Sequence, residues 1–391
     1  MPKPRRRQTN PIQAAVDDWI TSLGPPDHDE SHSWREALLS SAPKRFTIYE
    51  PMAVLPSGSF TSPPWATELD RRGADSLASL WSLILRELSK NAKATLTNLA
   101  VNEGIPLHND GQDAENIRRS PSALRMLLGD FGPAQAESEL PSQEDFDKAL
   151  WVSTKQNGIF QTWAPRWTMF SRGNVKEKAR LLQFPSAEQS STSPTWATAD
   201  VCAVDLYAGI GYFVFCYASL GMRVLCWEIN PWSVEGLRRG ARANRWTVKV
   251  VHGQDLELPL GEVVSGDEQI IVFLEANEGA PGRIKELQRM GLAEDVRHVN
   301  CGFLPSSEPT WEAAGELTRL SSDSWLHLHE NVGVDDIEAR RQSIQSRFVA
   351  WSSTGGQGRS PAVEHVELVK TFAPGIWHCV FDVHFTKSID T

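Results

Sequence analysis

The ten residues Ala203-Val-Asp-Leu-Tyr-Ala-Gly-Ile-Gly-Tyr212 constrain this chain more than any other stretch. Cys202 to Leu206 reads as a short buried strand. Ala208-Gly-Ile-Gly211 makes a turn, Tyr212 to Leu220 has helical character, and Gly221 is placed to stop the helix. A second strand, Arg223 to Trp227, ends in Glu228. The pattern predicts a strand–helix–strand unit with a glycine turn at the carboxyl end of its first strand. Open α/β sheets bind ligands at that place.

Glycines in such a turn let the backbone approach a ligand closely, because there is no Cβ in the way. Plain structural turns carry the same Gly-x-Gly pattern, so Gly209 and Gly211 alone do not decide. Two carboxylates add to them. Asp205 stands just before the turn, and Glu228 ends the next strand, where an acid accepts hydrogen bonds from ribose hydroxyls. Dinucleotide sites use the same acid but carry a third glycine; that position here is Val214. An acid ahead of the turn is instead typical of S-adenosylmethionine enzymes.

The 391 residues are enough for two domains with a substantial core. No apolar run approaches the ~18 residues of a membrane span, and no apolar segment of the secretory type follows Met1-Pro-Lys-Pro-Arg-Arg-Arg7. The five cysteines (202, 216, 226, 301 and 379) are odd in number and show no Cys-x-x-Cys spacing, which predicts reduced core thiols in a cytoplasmic protein. The net charge of −10 argues against a nucleic-acid partner only as an average. Lys155 to Arg180 holds six basic residues against the single acid Glu177, and Gly236 to Val251 holds five with no acid.

Along the chain, Asn10 suits a helix N-cap and Pro11 the first turn; Ile12, Ala15, Val16, Trp19, Ile20 and Leu23 then share one face up to Gly24-Pro-Pro26. Residues 1–45 read as a helical or disordered extension with a second short helix around Trp34 to Leu39. Residues 46–185 read as a small mixed α/β domain. Strand-like residues at Phe46 to Leu55, a helix at Ser76 to Leu88, a strand from Asn98, a short helix at Ser122 to Leu128 and an exposed acidic loop at Ala134 to Asp147 make it up. Ser186 to Thr195 is the expected linker. From Trp196 strand and helix alternate. Pro231 to Asn244 is a helix and Val248 to His252 a third strand, so Gly253-Gln-Asp255 falls at a strand end, where such enzymes often contact adenine. Helices are expected at Glu278 to Met290, around Trp311 to Leu320 and from Asp335 to about Trp351, and strands at His298 to Cys301 and Trp325 to His329. Ser352 to Pro361 reads as a loop, and Val363 to Phe372 and Trp377 to Phe385 as a closing hairpin.

In Gln156 to Phe184, Trp163, Trp167 and Phe170 interleave with Arg166, Arg172, Lys176 and Lys178. Aromatic faces stack bases and cations hold phosphates. A core-facing aromatic stripe with a solvated basic face has the same pattern.

Three motifs carry a family resemblance. Asp205-Leu-Tyr-Ala-Gly-Ile-Gly-Tyr-Phe213, Trp227-Glu-Ile-Asn-Pro-Trp-Ser-Val-Glu235 and Met169-Phe-Ser-Arg-Gly-Asn-Val-Lys-Glu-Lys-Ala-Arg180, with Leu99 to Pro106 and Gly129 to Pro133 upstream, resemble the tRNA enzymes acting on the purine 3′ of the anticodon. That family holds the guanine-N1 methyltransferases and the wybutosine-synthesising aminocarboxypropyltransferases. The resemblance runs from about Phe46 to the C-terminus. It implies a Rossmann-like S-adenosylmethionine transferase sheet closed by an antiparallel hairpin, after a smaller mixed α/β domain. Where the methyltransferases carry Asn-Pro-Pro-Tyr, this chain has Asn300-Cys-Gly-Phe-Leu-Pro-Ser-Ser307; with Leu326-His-Leu-His-Glu-Asn-Val332 that resembles the aminocarboxypropyltransferase branch.

The resemblance implies transfer of the 3-amino-3-carboxypropyl group of S-adenosylmethionine to C7 of 4-demethylwyosine at position 37 of tRNA-Phe. It places Ser171, Lys178, Asp205, Gly209, Gly211, Glu228, Gln254 and Asp255 at the cofactor, and it is compatible with Arg166 and Arg172 on the RNA. A lysine suits the methionine carboxylate. No metal is expected, and no catalytic base is named; His329, Glu330, Glu275 and Asn300 are candidates for proton handling. Guanine-N1 methylation of the same tRNA is the alternative within enzymes, and a non-catalytic tRNA-binding subunit is the alternative outside them.

Overall fold

The computed structural model describes residues 10–23, 31–103, 124–134, 140–184, 201–355 and 358–387. The chain divides into two compact units, Met1–Thr154 with Ala164–Met169, and Lys155–Trp163 with Phe170–Thr391. The division falls earlier than the expected linker, Ser186 to Thr195, which lies outside the described residues.

In the first unit, α1 (Pro11–Leu23) opens as its sequence predicts. The Asn10 side-chain carbonyl accepts from the Ile12 backbone N–H at 3.0 Å, and Ile12, Ala15, Val16, Trp19 and Ile20 are buried. α2 (Ser31–Ser41), β1 (Thr47–Tyr49), β2 (Met52–Leu55), α3 (Pro63–Arg71), α4 (Ala74–Ser89), β3 (Asn98–Asn102) and β4 (Leu124–Leu128) follow. The four strands form one sheet in the order β1-β2-β3-β4. α1 shares this unit's core with α4 and the sheet.

Two expectations are corrected here. Residues 124–128 form a strand, not a helix. β4 pairs antiparallel with β3 through an irregularity that sets Leu99 against Leu128 and Ala100 against Met126. Leu127 and Leu128 therefore both pack on the core, although they are adjacent. That bulge breaks the alternation of a strand and leaves an i, i+3, i+4 leucine spacing that mimics a helical face. Within the expected acidic loop, α5 (Gln143–Lys148) forms on a capping box in which Ser142 N–H donates to Asp145 at 2.8 Å. None of its residues is buried, so it left no apolar periodicity to read.

The chain crosses into the second unit within β5 (Val152–Gln156) and continues through β6 (Ile159–Trp163) and α6 (Val175–Gln183). The larger sheet is built from β7 (Val201–Asp205), α7 (Val214–Ser219), β8 (Arg223–Trp227), α8 (Pro231–Ala243), β9 (Val248–Val251), α9 (Leu260–Val263), β10 (Ile270–Phe273), α10 (Ala280–Arg289), β11 (Asp295–Cys301), α11 (Trp311–Leu317), β12 (Asp323–Gly333), α12 (Ile337–Gly355), β13 (Arg359–Ala373) and β14 (Ile376–Lys387). Its order is β13-β14-β12-β11-β7-β8-β10-β9. Strands β12 to β9 in that order run parallel, and β14 and β13 pair antiparallel at one end. This is the expected parallel sheet closed by a hairpin. Alternate residues of its strands feed two apolar cores, Val204, Leu225 and Ile271 on one face and Ala203, Val224 and Ile270 on the other. The hairpin is longer than expected: α12 runs to Gly355 and β13 begins at Arg359, against the loop expected over 352–361.

All five cysteines are buried and free. Among the described residues no helix is long and apolar enough to cross a membrane.

Candidate functional site

Asp205 ends β7 fully buried. Its Oδ1 accepts from Tyr207 N–H at 3.0 Å and from Asn300 Nδ2 at 3.1 Å, while Oδ2 has no hydrogen-bonding partner among the described residues. Burial pushes its carboxyl up to about 7. The chain then turns through Gly209 (φ +53°) and Gly211 (φ +90°), a backbone that L side chains rarely adopt. A Cβ on Gly211 would also stand 2.5 Å from the Phe215 ring.

Glu228 closes the turn from the next strand. It accepts from Gly209 N–H and from Asn230 N–H, both at 2.8 Å. Burial raises its carboxyl, and these backbone donors work against that rise. Each carboxylate oxygen keeps a lone pair beyond the one used here, so Glu228 can brace the turn and still accept from a ligand's hydroxyls.

Lys178 on α6 is 3% exposed. Its ammonium donates to Gln156 Oε1 at 2.5 Å and Gln161 Oε1 at 2.7 Å, and sits 5.5 and 5.6 Å from the ring centres of Phe170 and Tyr212. Burial lowers it to about 8. A buried cation whose hydrogen-bond acceptors are neutral amides is a costly arrangement, and an anionic ligand group would relieve it. Ser171 N–H donates to the Tyr212 hydroxyl at 3.0 Å, and its Oγ accepts from Lys370 Nζ at 2.9 Å. The fold thus brings Ser171, Lys178, Asp205, Gly209, Gly211 and Glu228 around one glycine turn.

Gln254 and Asp255 are not brought there. Both are exposed and follow β9, the edge strand. β10, which the sequence reading passed over, lies between β8 and β9. The segment beside Glu228's strand is therefore Leu274 to Asn277. Asn277 Nδ2 donates to Leu206 O at 2.9 Å, and Glu275 accepts from Trp227 Nε1 at 3.0 Å and from Arg283 at 2.6 Å. The signal was present in the sequence as an apolar run, Ile270 to Phe273, ending in Glu275-Ala-Asn277.

The basic segment is divided. Arg172 is exposed on a 3-10 turn of the second unit, and Arg166, half-buried, belongs to the first. Trp163 is buried and stacks on Phe170 with ring centres 4.4 Å apart, so these aromatics serve packing. Lys176 pairs with Glu367 at 2.6 Å. Arg238 and Arg239 on α8 both pair with Glu235, one position before the acid-free run.

A polar ladder crosses the same sheet face. Arg180 on α6 grips Glu177 and Asp382, Asp382 accepts from His327 Nδ1 at 2.7 Å, and His327 Nε2 lies 3.1 Å from His298 Nδ1. Glu330 points the other way, accepting from Ser307 N–H and Arg340 at 2.8 Å each. It braces the loop after β11.

No known protein-family model matches the chain. The tRNA wybutosine-synthesizing protein 2 of Schizosaccharomyces pombe is 39% identical over 87% of this chain and 72% of its own length. That of Saccharomyces cerevisiae is 34% identical over 88% and 75%. Among solved structures, TYW2 of Pyrococcus horikoshii in complex with MeSAdo superposes with a TM-score of 0.57 at 18% identity, over 96% of this chain and all of that one, and so shares the fold.

Proposed function

Because this chain belongs to the family of tRNA wybutosine-synthesizing protein 2, we propose that it moves the 3-amino-3-carboxypropyl group of S-adenosylmethionine onto C7 of 4-demethylwyosine in tRNA-Phe. The observation that carries this reading beyond the family is the buried Lys178 ammonium, held by neutral amides beside the glycine turn that Glu228 braces. The sulfonium of the cofactor activates three carbons, and the one that faces the nucleophile reacts. Lys178 takes the carboxylate of the methionine moiety and so orients it, with Ser171 alongside. Glu228 takes the ribose hydroxyls, Gly209 and Gly211 allow close approach, and Asp205 Oδ2 offers an acceptor beneath. Adenine lies toward Leu274 to Asn277, and Gln254 and Asp255 reach it only from the outer edge. Arg166 and Arg172 hold the RNA backbone near the anticodon, in a cytoplasmic setting.

The test uses S-adenosylmethionine labelled in the methyl or in the carboxypropyl carbons, with precursor tRNA-Phe. Carboxypropyl label alone in the tRNA is expected. Methyl label alone would make the protein a guanine-N1 methyltransferase. Absence of cofactor binding by folded protein would leave a tRNA-binding subunit.

A further inference from the structure

β12 keeps β11 as a parallel partner only as far as Leu328. His329 is the next residue, at the carboxyl edge of the parallel sheet. Asp205 pairs with Asn300 and Asn300 with His327, so these side chains and that of His329 share one face. Phe213, two residues past Gly211, packs on His329 with ring centres 5.0 Å apart. His329 is 1% exposed and its Nδ1 lies 2.9 Å from Nε2 of His378, also 1% exposed. Neither His329 Nε2 nor His378 Nδ1 has a hydrogen-bonding partner among the described residues; nor has Asn300 Oδ1 or Asp205 Oδ2. Buried polar atoms without partners are costly, and a cluster of them at the ligand edge of a sheet points to a substrate group that takes them up.

The reaction proposed above leaves a proton to be placed. C7 uses a ring electron pair to bond the carboxypropyl carbon, whose bond to sulfur breaks with its pair going to sulfur. C7 then carries both hydrogen and the new substituent, and the ring is cationic. Breaking C7–H returns that pair to the ring and releases a proton. Such a cation is a strong acid, so a weak base suffices if it stays unprotonated. Burial, and after it His378, His327, Arg180 and Lys370, hold His329 well below the ordinary histidine value, in the neutral form.

We propose that His329 is this base: Nδ1–H donates to His378 Nε2, which leaves the partnerless Nε2 lone pair to accept the C7 proton. His378 is a positioning residue that fixes the tautomer and shares the imidazolium charge. The proton passes to solvent as product leaves. The proposal rests on the carboxypropyl-transfer reading.

The test is single-turnover transfer with saturating cofactor in His329→Gln, His329→Ala and His378→Gln, with cofactor and tRNA affinities measured in parallel. General-base removal predicts a fall of roughly 100-fold for the His329 variants with affinities unchanged. Added imidazole should partly rescue His329→Ala, and His378→Gln should lose less. Wild-type rates in a folded His329 variant overturn the proposal, as does a rate lost only in step with cofactor affinity. Should both His329 variants fail to fold, a wild-type rate in His378→Gln overturns it. Wild-type enzyme transferring methyl, or nothing, overturns the underlying reading instead.

Discussion

Replacing Arg180 by Met should destabilise the second unit strongly. The guanidinium makes four hydrogen bonds: to Glu177 at 2.9 and 2.7 Å, and to Asp382 at 2.6 and 3.1 Å. Both carboxylates are fully buried, and Asp382 also holds His327. Removing the cation strands two buried acids, a loss of ~3–5 kcal/mol. The loss depends on pH. In the native protein burial pushes Asp382 up, but His327 and Arg180 outweigh it and hold the carboxyl below its ordinary value. Burial already raises Glu177 against the pull of Arg180; without that cation it climbs further above its unfolded value near ~4, and Asp382 rises with it. The unfolded state then binds fewer protons, so the deficit is small below that pH and grows as pH rises through it. Hydrogen exchange of α6, β12 and β14 peptides across a denaturant series reads the opening free energy of that region. A deficit under ~1 kcal/mol, the size of an exposed pair, or one that shrinks toward neutral pH, would refute the argument.

Glu228→Ala should weaken cofactor affinity by roughly one to two decades, ~1.5–3 kcal/mol, with tRNA affinity unchanged, measured by calorimetry and filter binding. Lys178→Met should lose cofactor affinity at neutral pH. Wild-type affinity should also fall as pH rises through about 8, where the buried ammonium loses its proton, while the variant lacks that step; the ligand's own amino group titrates near there in both proteins, so their difference reads the lysine. Arg166→Ala and Arg172→Ala should each lower the log–log salt slope of tRNA binding by ~0.7–0.9 and leave cofactor affinity alone.

Local signals carried much of the fold. Asn10 and the apolar spacing behind it place α1, and the Ala203 to Glu228 motif places β7, the turn and β8, because each depends on neighbours in sequence. β4 was misread because its bulge sets adjacent leucines on one core, which only pairing with β3 explains. Strand order, β8-β10-β9, is likewise not chain order, so Gln254 and Asp255 follow the edge strand and not the one beside Glu228's strand. Arg180 and Asp382 are 202 positions apart, and nothing local ties them. Lys178 was legible only through its motif; that it is buried among amides needed the packing of α6.

The most direct measurement is the co-product of a single turnover on precursor tRNA-Phe, with the modified nucleoside at position 37 weighed by mass spectrometry. The account predicts methylthioadenosine in equal amount to a nucleoside heavier by one aminocarboxypropyl group. S-adenosylhomocysteine with a nucleoside heavier by one methyl would contradict it.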